Sequence, residues 1–384
     1  MQSENKIEKK PTNKSLKKKA NEGKHPSAIS LPNDEKSSNT NIKKPPNLKS
    51  FKVKGLLKGH NNYVSSIIQL KDGNIATGSE DKTIKIWKAD DGECLKTLND
   101  HTEVINCIIE LEDGYLASGS KDRTVKIWDY ESAVCLKTFE GHEDSIQIIH
   151  QLKNSNIVTG STDNIIKVWE IQEGNCIQTF KANYVENTLI KLSDGNIAFA
   201  AEDKIIKIID YEILGTIFNL ESTSFPTTLI QLSDGNIAAG SLNGKIDIFN
   251  VGNGKLLKTF NGDGYISKLI QLSNENIVSF SLLETTIQIW DYEKRNCIGN
   301  LKGHSKTIKN IILLRDGSLA SISEDKTIKF WDIETEKCVG TLKGHSGWIF
   351  NAIELNNGNL VSCSIDKTTK IWELVHSKGC CLIF

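Results

Sequence analysis

Three sets of residues in this 384-residue chain have chemistry to offer: eight histidines, nine cysteines and the last four positions. Those four read Cys381-Leu382-Ile383-Phe384. This is the C-a-a-X pattern, in which the cysteine thiol takes a prenyl group and a terminal Phe favours geranylgeranyl. Cys380 beside it is a candidate for palmitoylation, the second signal that stable anchoring needs. Histidine suits metal ligation and proton transfer. Here, however, His60, His101, His142, His304 and His345 recur at one phase of an internal repeat, each followed at fixed spacing by Ser, Asp and Trp. A set built five times is scaffold rather than a unique reactive site. Cys94, Cys135, Cys176, Cys297 and Cys338 hold one equivalent position in five repeats and read as small apolar fillers, while Cys107 and Cys363 fall inside apolar runs. No CxxC occurs with a second Cys or His pair, so no metal is expected. GxxxxGK[ST], GxGxxG, GxSxG and HExxH are also missing, so neither a cofactor nor enzymatic activity is expected. Seven repeat-borne thiols, with no apolar leader ahead of them, point to a reducing, cytosolic compartment.

The elements that position these residues follow from the repeat itself. Each copy closes on a run like Ile-Lys-Ile-Trp, at Trp87, Trp128, Trp169, Ile209, Phe249, Trp290, Trp331 and Trp372, in steps of 40 or 41 residues. One copy, residues 93–129, holds four short β runs: CLKTL, VINCIIEL, LASGS and TVKIW. Between the second and third stands Asp113-Gly114. Its counterparts are Asp72-Gly73, Asp194-Gly195, Asp234-Gly235, Asp316-Gly317 and Asn357-Gly358, which suit type I′ hairpin turns.

Four-stranded units of this period, opening on Gly-His and closing on Trp-Asp, resemble WD repeats over residues 51–375. The resemblance implies an all-β fold: an eight-bladed β-propeller of four-stranded antiparallel blades. The stretch SFKVKGLLKGH (50–60) matches the first strand of later copies, and nothing after Trp372 does. The N-terminal strand should therefore complete the last blade and leave no free edge at the seam. The resemblance also implies hydrogen-bonded tetrads. They comprise His60, Ser79, Asp81, Trp87; His101, Ser120, Asp122, Trp128; His142, Ser161, Asp163, Trp169; His304, Ser323, Asp325, Trp331; and His345, Ser364, Asp366, Trp372. Repeats four to six depart, with Ala182, Ser222 and Gly262 at the His position. They are expected to form the softest arc of the ring.

Charge divides the chain. Residues 1–50 hold 12 Lys and 5 acids, a balance of +7, against 35 bases and 43 acids, −8, in the remainder. Five of the six prolines lie in that first segment, which is expected to be a disordered basic tail serving location, at a nucleus or an anionic membrane. Residues 376–384 form a short C-terminal tail carrying the lipid box. Lys85, Lys126, Lys167, Lys207, Lys329 and Lys370 recur two before the closing residue, and their stems are expected to lie between blades. With an acidic body around them, a nucleic-acid partner is not expected.

The position three after each tetrad His opens the innermost strand beside the channel mouth. It holds Tyr63, Phe225, Tyr265 and Trp348 in four of eight repeats, candidate anchors for a peptide or protein on the His-bearing face. The expectation is a monomeric, non-catalytic scaffold, anchored to the cytosolic face of a membrane. The alternative is a substrate receptor of a ubiquitin ligase. Against it, no F-box-like helical segment precedes the ring. The Arg that such receptors carry three after the Trp is replaced by Asp90, Glu131, Gln172, Glu293 and Glu334.

Overall fold

The computed structural model of the chain describes residues 50–375 other than 184, 263 and 282. The two tails, with Cys380 and Cys381, lie outside the described residues. Strand β1 (Ser50–Leu57) comes first. The first blade follows as β2 (Val64–Gln69), β3 (Ile75–Ser79), β4 (Thr83–Trp87) and β5 (Cys94–Asn99). Eight such antiparallel sheets make the ring. In the eighth, β1 pairs with Thr369–Val375, from Ser50 opposite Val375 to Leu57 opposite Thr369, so the first strand closes the last blade.

The ring holds because each blade buries both faces against its neighbours. One interblade core joins Leu70, Ala76, Ile84 and Leu98 of the first blade to Ile105, Ile108, Leu116 and Trp128 of the second. At the seam, Leu57, Val64 and Trp87 pack on Val361, Cys363 and Ile371. β3 and its equivalents are buried throughout, whereas outer strands alternate. This is the difference between central strands covered on two faces and edge strands half in water.

The hairpins differ from the expected type I′. Gly73 alone has positive φ (92°), and its N–H donates to the Leu70 carbonyl at 2.9 Å. That is a type I turn followed by a left-handed residue. Ser155 and Glu275 take the left-handed place where Gly is missing. The cysteines also differ from expectation. Cys94, Cys176 and Cys338 are exposed and Cys135 and Cys297 half-buried, because they head outermost strands that have no neighbour beyond. Cys107 and Cys363 do lie in interblade cores, where burial pushes each thiol up to about 12. Thiols held in that form are poor nucleophiles.

Candidate functional site

The tetrads form on one rim with a different hydroxyl. His60 Nδ1 meets Asp81 Oδ2 at 2.8 Å, and His60 Nε2 meets Thr77 Oγ1 at 2.8 Å. Trp87 Nε1–H donates to the same Thr77 oxygen at 2.7 Å. Ser118, Thr159, Ser321 and Ser362 bridge imidazole and indole in the same way. The serines expected there, Ser79, Ser120, Ser161, Ser323 and Ser364, stand two residues later. Each accepts the backbone N–H of its tetrad Asp. Register explains the correction. Thr77 lies opposite Lys85, so Trp87 is its diagonal neighbour on the same face. Ser79 is two residues further from the indole, beyond reach.

These clusters are internally paired and largely buried. Burial alone would raise the Asp81, Asp122 and Asp325 carboxyls, but hydrogen bonds from the paired His and Thr outweigh it and hold them well below the usual range. Asp366 is held at about 2 by Thr368 and His345 in the same way. His142 and His345 are pushed down by burial, with the paired Asp opposing. A carboxylate only accepts, so Nδ1 carries the imidazole proton and Nε2 takes the hydroxyl's. The repeated lysines reach the next strand: Lys85 Nζ meets Thr97 Oγ1 at 2.8 Å and Lys329 Nζ meets Thr341 Oγ1 at 3.2 Å. Among the described residues, no group of three or more His, Cys, Asp or Glu is placed to hold a metal.

Blades four to six are rebuilt rather than merely loosened. In blade five, Asp247 replaces the lysine and is fully buried. It accepts from Ser222 Oγ at 2.9 Å, Thr223 N at 2.7 Å and Thr259 Oγ1 at 2.7 Å, a second kind of polar clamp. In blade four, Phe199 stands where Thr77 stands in blade one and packs with Ala182, Ala201 and Ile209, so the clamp becomes apolar. Blade six keeps the Trp290 to Ser279 bond at 2.8 Å, while Gly262 has no side chain to complete it. Blade five therefore keeps a polar clamp in another form, built on Asp247.

Residues of these three blades line a cleft on this rim, together with Gln147, Thr162 and Asn164 of blade three. Its outer part, about 710 Å³, is lined by Gln147, Asn183, Glu186, Asn187, Phe225, Leu242 and Tyr265, among others. A second part, about 410 Å³, shares Glu186, Asn187 and Tyr265 and adds Tyr63, Lys268, Lys309 and Phe350. Of the four expected aromatic anchors, Phe225 and Tyr265 line the outer part, and Tyr63 lines the second against Phe350 at 5.3 Å between ring centres. Trp348 lines neither part and carries Lys309 5.6 Å from its ring centre. Lys268 donates to Asn310 Oδ1 at 2.7 Å and to the Ile311 carbonyl at 3.1 Å. Burial pushes it down to about 8.

Glu186 escaped the sequence reading. Counting back from Leu192 and its equivalents, the position of Glu186 is filled by Val64, Ile105, Ile146, Pro226, Ile266, Ile308 and Ile349 in the other seven blades. All seven are buried. A carboxylate cannot take that interblade place without a partner. The first strand of blade four accordingly shrinks to Ile190–Lys191. A helical turn, Val185–Thr188, fixed by Thr188 Oγ1 on the Asn183 carbonyl at 2.9 Å, puts Glu186 on the cleft wall. The side chain reaches solvent, yet the crowded walls desolvate it enough to raise its carboxyl above the ordinary value.

Comparison with known proteins agrees with the ring. The family description "WD domain, G-beta repeat" matches residues 51–88, 92–129, 133–170, 295–332 and 336–373. The chain belongs to this WD-repeat family. The blades left out, four to six, are the rebuilt ones. The chain is 44% identical over 43 residues to F-box/WD repeat-containing protein 7 of Drosophila melanogaster, covering 11% of this chain and 3% of that one. It is 54% identical over 43 residues to "Probable E3 ubiquitin ligase complex SCF subunit scon-2" of Neurospora crassa, covering 11% and 6%. Either match spans about one repeat. Among solved structures, the computationally designed Ika8 protein superposes with a TM-score of 0.70 at 26% identity, covering 83% of this chain and 99% of that one.

Proposed function

We propose that this protein is a non-catalytic interaction scaffold that binds a segment of a partner protein in the cleft on the His-bearing rim. One observation carries the reading. Most residues lining the outer part of the cleft come from the blades that abandon the repeat, among them exposed Phe225 and Leu242 and the displaced Glu186. A ring kept only for stability has no use for departures gathered at one opening. Affinity capture with mass spectrometry tests this. Partners held by the wild type are lost by a folded Phe225→Ala/Tyr265→Ala protein and kept by an Asp113→Asn control on the opposite rim. Equal capture by all three overturns it.

Attachment to a cytosolic membrane face through a prenyl group on Cys381 belongs to the same proposal, supported by the C-a-a-X pattern alone. Intact mass of protein from its own cells tests it. An unmodified terminus, or a membrane fraction unchanged by Cys381→Ser, overturns it. A second reading, a ubiquitin-ligase substrate receptor, draws support from the names of the two matched relatives. Ligase subunits among captured proteins would favour it.

A further inference from the structure

Glu186 is a carboxylate without a partner. Among the described residues it has no hydrogen bond and no ion pair. Its neighbours on the cleft wall are amides and rings: Asn187, Gln147, Phe225 and Tyr265. Gln147 gives its Nε2 to Ser145 Oγ at 3.2 Å, leaving its amide oxygen to accept. Lys204 already lies 5.5 Å from the Phe225 ring centre, so that ring offers apolar contact and the carboxylate supplies the charge. Lys268 and Lys309 also line the second part, and neither pairs with Glu186. Lys309 is held by Glu324 at 2.6 Å. The cleft therefore presents one negative group at the junction of its two parts, beside acceptor amides and an apolar wall.

We propose that the cleft recognises a partner segment carrying a basic side chain, Lys or Arg, which ion-pairs with Glu186 while an adjoining apolar residue rests on Phe225 and Leu242. This rests on the reading of the cleft as the partner site and names the chemistry it selects. Charge complementarity is the ground for it. A carboxylate kept at a position that is apolar in seven other blades, on a cleft wall and without a partner among the described residues, is free to pair with an incoming cation.

The test pans random twelve-residue peptides displayed on phage against the full chain, then measures the selected peptides by fluorescence anisotropy. The expected consensus has Lys or Arg within two residues of an aromatic or large aliphatic residue. Replacing the basic residue by Gln in the peptide, or Glu186→Gln in the protein, each weakens binding about tenfold, and the two changes together weaken it little further. Separate Lys and Arg peptides decide between the two cations. Glu186 is unpaired and near solvent, so Glu186→Gln is expected to fold, and an unchanged melting temperature checks it. Cleft-dependent peptides with no basic residue, or with full affinity for Glu186→Gln, overturn this inference and leave the partner cleft standing. If no selected peptide is lost on Phe225→Ala/Tyr265→Ala, both fall.

Discussion

The hydroxyl that joins indole to imidazole shows how far residue types alone can be read. His, Asp and Trp of each cluster were legible because few residues besides them share that spacing. The hydroxyl was not, since Thr77 and Ser79 lie on one face of β3 and only strand register separates them. Removing the bridging hydroxyl should be costly. Ser118→Ala strands the buried Trp128 N–H and His101 Nε2, and urea unfolding should show a loss of about 1–3 kcal/mol. Acidity tests the same clusters. His142 and His345 have depressed folded pKa values, so the unfolded chain binds more protons and stability falls as pH drops below about 6.5. Asp366 is lowered to about 2, so its stabilisation is present above about pH 4 and is lost as pH falls toward 2. Both effects have one sign. Melting temperature should decline gently from pH 7 to 4 and steeply below it, and His142→Gln should flatten the gentle part.

At the scale of an element, the blades that the family description passes over are those whose strands solve the packing problem differently. Counting the period gave every blade its four strands, and it erred at Val185, where a strand was expected and a helical turn stands. Period counting assigns a place without asking whether its residue can be buried there, and Glu186 cannot. The expected outcome of Glu186→Ile follows. Apolar packing like that of Ile146 against its neighbours is restored, stability rises by about 1 kcal/mol, and partner binding is lost. Urea midpoints and the capture assay, run on one preparation, check both halves. Asp247→Ala tests the substitute clamp. It leaves Ser222, Thr223 and Thr259 with unmet donors, and should lower stability by about 3 kcal/mol despite removing a buried charge.

On the scale of the molecule, closure decides whether eight blades behave as one body. The ring order and the seam were legible because SFKVKGLLKGH copies the strand missing from the last repeat. The cleft was not, because its outer part alone draws side chains from four blades that only the curved ring brings together. Among the described residues, β1 is the strand that joins the two ends. Its backbone pairs along Thr369–Val375, Phe51 stacks on Phe330 at 5.1 Å, Leu57 is buried between the last and first blades, and Lys52 meets Glu373 at 2.9 Å. The exposed ion pair adds little. Burial of Phe51 and Leu57 contributes on the order of 4 kcal/mol together, before any backbone pairing is counted. Truncation before residue 58 should therefore lower the melting temperature by roughly 10 °C, on a scale of 2–4 °C per kcal/mol for a chain of this size. It also bares the ladder groups of Thr369–Val375, an unpaired edge that pairs with other copies. Light scattering should then find a larger particle than the intact chain gives. A synthetic peptide of residues 50–57, added in excess, should recover both properties by adding the strand back. A truncated chain that keeps the intact chain's size and melting temperature would show that the remaining interblade cores close the ring without β1.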